Sequence, residues 1–512
     1  MVHSVHHQKK IKINTFWDKT VQIKKFPSVN QHLSCDVIVI GSGMTGISTA
    51  YTLSKAGLKV ILVDQGTMTS GDTVRTTAHL TAYPDWGISE LLNLHGRDTA
   101  RLAIESHMRA IDDIEENVKN EKLSCHFERV DAYLFPAAGE TSKILETEMK
   151  SLESIGTGLI EAELEEHPPH QSYLEGPVLR IKNQARIHMF HYLDGMIEVL
   201  LQRGVQIFNE SHIIKLEHDG VWTDAGYKIT APQIVVATHA PIEGTFIFLK
   251  QAPYRTYVLG APIPKGTFHD GLFWDTEDPY HYIRTESLDH EHDLLIVGGE
   301  DHKTGQAPEH NYEQPFQNLE DWTRKRYPMV KDISYRWSGQ VMEPMDGLAF
   351  IGKIPYRAQH IYMATGYSGN GITYGSIAAS LLSDLILEKP NPWKELYDPT
   401  RKTVKAAGAF MHENLNMAKQ FTKDRIKPDD QVLEEDLRPG EGGVIQKGIH
   451  QLAVYREETG ELHVSSAVCP HLGCIVHWNG AEKTFDCPCH GSRFSPKGCV
   501  LTGPAIKNLT PQ

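Results

Sequence analysis

Four β-branched apolar residues, Val37-Ile38-Val39-Ile40, run directly into Gly41-Ser42-Gly43-Met44-Thr45-Gly46. This junction is the strongest constraint on the larger part of the chain. A short strand with no polar face is buried on both sides, as in a parallel sheet covered by helices. The glycines supply a tight turn, a close approach of backbone to ligand, and close packing of strand against helix. Residues 45–56 have helical spacing and stop at Gly57, a glycine being suited to a helix C-terminus. Residues 59–63 read as a second strand, and Asp64 follows it 23 positions after Gly41. Strand, glycines, helix, strand and carboxylate in register predict a dinucleotide site. The helix N-terminus faces the pyrophosphate, and Asp64 accepts hydrogen bonds from a ribose hydroxyl.

Further along, residues 88–119 are amphipathic and read as one or two helices. Strands are expected at 205–217, 221–229 and 233–238, and strand-like pieces joined by Gly, Pro and Asp between 250 and 300 suggest an antiparallel sheet inserted into the first domain. Residues 361–364 form another short buried strand before a Gly-rich loop and a helix at 377–387, and residues 423–439 read as a linker. The chain's 512 residues call for more than one domain. The net charge of −14, from 51 basic and 65 acidic residues, argues against nucleic acid as a partner. No apolar run approaches the roughly 18 residues of a membrane span. The first eleven residues lack the apolar stretch of a signal peptide, so a cytoplasmic location is expected.

The later glycine-rich segments carry a resemblance. Thr69-Ser70-Gly71, Arg75-Thr76-Thr77-Ala78, the run 345–352 (Met-Asp-Gly-Leu-Ala-Phe-Ile-Gly) and the run 364–373 (Ala-Thr-Gly-Tyr-Ser-Gly-Asn-Gly-Ile-Thr) are similar to the FAD-dependent D-amino-acid oxidase/glycine oxidase superfamily. On that resemblance FAD is the dinucleotide, held by Gly41, Gly43, Met44, Gly46 and Asp64. Thr76 and Thr77 would lie near the pyrophosphate and ribityl chain, Ile213 beside adenine, and Gly371 and Thr373 near the flavin ring. The inserted sheet would supply Arg and Tyr groups to a substrate carboxylate, and Tyr254, Arg255, Tyr257, Tyr282 and Arg284 lie on the matching segments. An Arg fork binds a carboxylate bidentately and a Tyr hydroxyl adds direction.

Five of the seven cysteines fall within the last 44 residues. Cys469-Pro470-His471-Leu472-Gly473-Cys474 and Cys487-Pro488-Cys489-His490-Gly491-Ser492 read as two ligand loops, C-x-H and C-x-x-H. Two thiolates and two imidazoles suit tetrahedral zinc. Repeated on successive Gly- and Pro-flanked loops, the pattern resembles a Rieske 2Fe–2S centre, in which Cys469 and Cys487 hold one iron and His471 and His490 the other. That resemblance implies a Cys474–Cys489 disulfide, a Ser492 hydroxyl on a bridging sulfide, and a phenylalanine, Phe494, where high-potential members have tyrosine. Cys35, Cys125 and Cys499 are expected to be structural.

The fold class expected is thus α/β plus all-β: a Rossmann-like FAD-binding domain with an inserted antiparallel substrate sheet, then a small β-sandwich-like Rieske domain. The boundaries expected are an N-terminal extension at 1–32, the FAD domain at 33–420 with its substrate sheet within about 240–345, a linker at 421–430 and the Rieske domain at 431–512. A flavin takes two electrons and a Rieske centre one. Both on one chain imply a dehydrogenase that oxidises an amine or amino acid at FAD and passes electrons singly to the 2Fe–2S cluster, then to an external acceptor. The competing readings are an amine oxidase using oxygen with a structural or redox-sensing cluster, a reductase fed by NADH, which would need a second dinucleotide fingerprint that the chain lacks, and a non-enzymatic redox sensor.

Overall fold

The computed structural model describes residues 15–68, 70–156, 158–166, 174, 176–240, 242, 246–307, 311–355, 360–426 and 433–512. Residues 1–14 of the expected extension, Thr69 and residues 427–430 of the expected linker lie outside that set.

Val37–Ile40 is central in a six-stranded sheet, paired in parallel with Gln233–Val236 on one side and Val60–Val63 on the other. All four of its residues are buried, which is why the strand has no polar face. Ile361–Thr365 continues the sheet in parallel, Phe350–Lys353 closes that edge antiparallel, and Gln206–Phe208 forms the other edge. Helix Met44–Lys55 follows the glycine turn. Helix Gly371–Ile386 begins directly at the second Gly-rich loop, six residues before the start the sequence suggests. The two helices touch closely: a Cβ on Gly375 would come within 2.7 Å of Met44 Cγ. The amphipathic stretch after residue 87 is two helices, Gly87–His95 and Arg97–Asn120, divided by Gly96 at φ +81°.

The inserted sheet is larger than expected. Gln251–Pro264, Leu272–Asp275, Tyr282–Ser287, His292–Lys303 and Tyr335–Pro344 join Glu128–Phe135, Val178–Arg186 and His79–Leu80, with Ala162–Glu165 alongside, in a nine-stranded sheet. Its reach back to residue 79 runs through a parallel pairing of Leu272–Asp275 with Glu128–Phe135. The expected linker is helical at its start, within Ala407–Ile426. The C-terminal part holds two antiparallel sheets, Gly442–Lys447, His450–Arg456, Leu462–Ser466 and His477–Asn479, Thr484–Asp486, Arg493–Phe494, Val500–Thr502. The extension is less peripheral than its polarity suggests: Trp17 is fully buried and its Nε1 donates to Thr76 O at 2.9 Å. Among the described residues no helix is long and apolar enough to cross a membrane.

One buried histidine in the large sheet sets a pH limit on stability. His281 Nδ1 lies 2.9 Å from Asp275 Oδ2 and its Nε2 3.7 Å from Glu300 Oε1, and the ring stacks on Trp322 at 4.0 Å. Burial opposes its charge, but the Asp275 and Glu300 carboxylates outweigh burial and raise its pKa to about 9. A folded pKa above the unfolded value gives stability that is complete below pH ~6.5 and lost as pH rises through the folded pKa. The expected loss is about 3 kcal/mol between those limits. Urea unfolding of His281→Gln should show a flatter dependence over this range than the parent; parallel curves would contradict the assignment.

Candidate active site

The fingerprint glycines are required by contact distances. Gly41 adopts φ +104°, and a Cβ there would sit 2.3 Å from Ala237 O; a Cβ on Gly46 would lie 1.8 Å from Gly41 O, and one on Gly43 2.7 Å from Thr73 Oγ1. They open on a cavity of about 580 Å³. Asp64 Oδ2 accepts from Ser42 N–H and Ser42 Oγ, both at 2.7 Å, and its Oδ1 from Gly66 N–H at 2.9 Å. Burial raises the pKa of this carboxyl, and the Gly66 and Ser42 hydrogen bonds oppose the rise. Such a carboxylate, beside a helix N-terminus opening into a long cavity, fits a ribose next to a pyrophosphate.

Of the cofactor residues expected from sequence, Gly41, Gly43, Met44, Asp64, Thr76, Thr77, Ile213 and Gly371 line this cavity. Gly46 packs under the turn. Thr373 is buried with its hydroxyl on Asn370 O at 3.0 Å, so it does not line the cavity.

The substrate-side expectation needs correction. Tyr282 lines the cavity, its hydroxyl 2.6 Å from Thr256 Oγ1. Arg255 and Arg284 do not. Thr256 faces the cavity, so strand alternation sends its neighbours Arg255 and Tyr257 to the opposite face. There Arg255, fully buried, pairs with Ser338 Oγ and Glu482, and Tyr257 Oη meets His302 Nε2 at 2.8 Å. Arg284 is consumed by Glu286 and by the carbonyls of Ala78 (2.8 Å) and Ile187 (3.2 Å). Tyr254 also lies off the cavity, under Lys303, whose Nζ is 6.0 Å from the ring centroid. What sequence reasoning missed are Asp85, Tyr280 and Asp301, which do line it; no motif marks them.

The second site is built on loops. Cys469 and Cys487 are buried side by side in an apolar cluster with Phe494 and the disulfide-linked pair Cys474–Cys489, whose Cα atoms are 6.5 Å apart. The bonded pair has no thiolate to offer a metal, which leaves Cys469 and Cys487. Cys487 lowers the Cys469 pKa most, helped by the His471 and Leu472 amides and the Ser492 hydroxyl. On Cys487 the Cys469 sulfur and burial raise the pKa, and the Cys489 and His490 amides oppose the rise. Ser492 Oγ also accepts from Ala505 N–H at 3.0 Å. His471 and His490 face each other with ring centroids 4.9 Å apart. Burial keeps both imidazoles neutral, pushing them down to about 4 and about 3. His471 Nδ1 and His490 Nε2 are buried without a hydrogen-bond partner. Two adjacent thiols and a facing pair of neutral, partly unsatisfied imidazoles, carried on two loops, fit a mixed Cys/His iron–sulfur cluster.

Phe494 is fully buried beside these cysteines. Hydrogen bonds to cluster sulfurs stabilise the reduced form, and phenylalanine donates none. Phe494→Tyr is therefore expected to raise the cluster potential in a redox titration; an unchanged or lower value would contradict this.

The two sites belong to one packed body. Leu501, Thr502, Gly503 and Ala505, from the C-terminal part, line the same cavity as the fingerprint, and Gln65 Nε2 donates to Leu501 O at 2.7 Å. Phe248 sits edge-on to both candidate ligand histidines, at 5.1 Å from His471 and 4.8 Å from His490. Gln340, on the cavity wall, donates from Nε2 to Gly491 O at 2.9 Å. Gly491 has no room for a side chain, since a Cβ would stand 2.4 Å from Pro253 Cβ. Glu482 joins the halves electrostatically, receiving Arg255, Arg75 Nη1 at 3.4 Å and Arg493 Nη2 at 2.8 Å.

Comparison with known proteins agrees with the two kinds of domain. Residues 36–385 match the FAD dependent oxidoreductase family, and residues 430–511 match the Rieske 2Fe-2S domain. YhfW of Bacillus subtilis (strain 168), whose name describes a Rieske 2Fe-2S iron-sulfur protein, is 35% identical over 506 residues, 97% of this chain and 96% of its own. The gamma-glutamylputrescine oxidoreductase of Escherichia coli (strain K12) is 23% identical over 375 residues, 70% of this chain and 85% of its own. The crystal structure of glycine oxidase from Geobacillus kaustophilus shares the fold, with TM-score 0.60 at 16% identity over 72% of this chain and 99% of that one.

Proposed function

The chain belongs to the FAD dependent oxidoreductase family and carries a C-terminal Rieske 2Fe-2S domain; on that premise we propose that it oxidises an amine or amino acid and passes the electrons, one at a time, to its own iron–sulfur centre and on to an external acceptor. When bound, FAD supplies a two-electron acceptor for a C–H bond next to nitrogen, and the 2Fe–2S pair a one-electron carrier.

The chain's own residues divide the remaining work. The N-terminus of Met44–Lys55, with Gly41 and Gly43 giving backbone access, suits the pyrophosphate, and Asp64 suits the ribose. Thr76, Thr77 and Ile213 line the stretch assigned to the ribityl chain and adenine. The N-terminus of Gly371–Ile386 also opens on the cavity and favours negative charge there, as Asp85 on the Gly369 N–H supplies. Cys469, His471, Cys487 and His490 are the residues for the cluster. Leu501, Thr502, Gly503 and Ala505 cover part of the cavity and exclude water from that wall.

The observation that carries the relay is the Gln340 side chain, which spans from the cavity wall to Gly491, the residue after His490. Phe248 covers the histidine edges from the same side. The ligand loops thus face the flavin domain, the orientation that internal electron transfer needs. Anaerobic mixing of the holoprotein with a panel of amines and amino acids tests this, with flavin and cluster absorbance followed together. Bleaching of both by one substrate is expected. Flavin bleaching with a cluster that stays oxidised would make the cluster a structural element and refute the relay.

A further inference from the structure

An amino-acid substrate needs a cation for its carboxylate, and the cavity offers almost none. Among the described residues lining it there is one arginine, Arg75, and no lysine. The Arg75 guanidinium is already engaged with Ser338 O at 3.0 Å and with Glu482. Arg255 and Arg284 lie off the cavity in ion pairs of their own. Three histidines also line it: burial and Arg284 hold His79 neutral, with a pKa down at about 3, burial lowers that of His212, and His239 Nε2 lies 3.9 Å from Asp72 Oδ2.

The part of the wall next to the Gly371 helix is instead acidic and aromatic. Asp85 accepts from Gly369 N–H, and its own N–H donates to Asn370 Oδ1 at 3.2 Å, which locks it onto the loop that opens that helix. A Cβ on Gly369 would meet Asp85 Oδ2 at 2.6 Å and Tyr280 Oη at 3.1 Å, so the two groups converge on one spot. The Tyr280 and Tyr282 rings lie 5.6 Å apart beside them. Asp301 completes the group: its Oδ1 is buried without a hydrogen-bond partner, while Thr256 interacts with the carboxyl. Behind the wall Glu343 adds a third carboxyl, accepting from Trp86 Nε1 at 3.2 Å and Ser368 Oγ at 2.7 Å. Asp85 opens on the cavity, yet its depth and then the Glu343 charge push its pKa up to about 8; burial does the same to Asp301, to about 7. Carboxyls gathered with no cation among them leave a place for one, and two aromatic faces add to its attraction.

We propose that the cavity takes a cationic amine that carries no carboxylate, its ammonium group held between Asp85 and Asp301 against the rings of Tyr280 and Tyr282. This rests on the reading of the chain as an amine-oxidising flavoprotein and names the substrate class of that site. An amino acid entering the same place would bring its carboxylate against Asp85, Asp301 and Glu343 with no guanidinium to meet it; a further negative charge there would hold these carboxyls protonated, whereas an ammonium group lets them ionise beside it.

The test uses pairs that differ only by a carboxylate: putrescine and ornithine, cadaverine and lysine, agmatine and arginine. Binding to the oxidised holoprotein is read from the perturbation of the bound flavin spectrum, and reduction is read separately under anaerobic conditions. The decarboxylated member of each pair is expected to bind at least about tenfold more tightly, the equivalent of roughly 1.4 kcal/mol. The isosteric Asp301→Asn variant, retaining its flavin, is expected to lose at least that factor for the amines. Equal or tighter binding of the amino acids, no binding of any amine, or an Asp301→Asn variant that binds amines as the parent does would overturn the proposal. Reduction by amino acids alone would leave amine-group oxidation standing while removing the cation site. Binding of the amines with no flavin reduction by either class would keep the cation site and sink the oxidase chemistry.

Discussion

Protein carrying Gly41→Ala is expected to be purified with its cluster but without flavin. The substitution places a methyl group 2.3 Å from Ala237 O in a backbone conformation, φ +104°, that an L-residue rarely adopts. Left-handed backbone costs an alanine about 1–2 kcal/mol, and overpacking a tight contact adds roughly 1–3 kcal/mol. Relief requires the turn to move away from the sheet, which shifts the helix N-terminus and the amides beside the pyrophosphate. A total of roughly 2–5 kcal/mol corresponds to a loss of about 30- to 5000-fold in FAD affinity. The readouts are the flavin-to-iron ratio and the visible spectrum. Asp64→Asn provides the companion in case the glycine variant fails to fold: it preserves shape and crowds no backbone, although its NH2 must face the Ser42 or the Gly66 N–H, and nucleotide affinity is expected to fall. A fully flavinylated Gly41→Ala protein would contradict the assignment of this turn to the cofactor.

The second large effect is expected at the seam between the halves. Glu482→Gln keeps the side chain's size but withdraws the charge that meets Arg255, Arg493 and Arg75. Arg255 has no exposed side-chain surface, and its Nε and Nη1 already lack hydrogen-bond partners. Asp486 still holds Arg493 Nε at 3.0 Å, but Arg255 loses its paired carboxylate and keeps only the longer-range attraction of Asp486 and Asp72. Breaking a buried pair from one side costs roughly 3–5 kcal/mol. The network lies between the modules and reaches Asp486, the residue before Cys487, without including any of the four candidate ligands. The expected outcome is a split unfolding transition, a cluster whose electron paramagnetic resonance spectrum is unchanged, and slower transfer between flavin and cluster. A single transition at the parental midpoint would show that the seam is held by something else.

Much of this site was legible in the chain, and the limits were physical. The glycine fingerprint could be read because each glycine answers a contact within a few residues or across one strand pair. The ligand loops could be read because metal chemistry demands particular side chains at fixed spacing, and the Cys474–Cys489 bond followed from resemblance. Arg255 and Arg284 were expected at the substrate because alternation tells which residues share a face and leaves open which face meets the cavity. Glu482 settles the matter for Arg255, and it lies 227 positions away with no local pattern to announce it. Asp85, Tyr280 and Asp301 converge from three separate loops and strands, a juxtaposition only the tertiary fold reveals. Helix Gly371–Ile386 starts earlier than its apolar periodicity because Gly371, Thr373, Gly375 and Ser376 interrupt the apolar pattern around Ile372 and Tyr374, and their helical state is set by packing on Met44–Lys55.

The claim on which the account turns is that flavin and cluster exchange electrons inside one polypeptide. Flash photoreduction of the flavin in the holoprotein, with no substrate present, tests it most directly. Bleaching of the cluster at a rate independent of protein concentration is the predicted result. A rate proportional to protein concentration, or a cluster that stays oxidised until a soluble mediator is added, would contradict it.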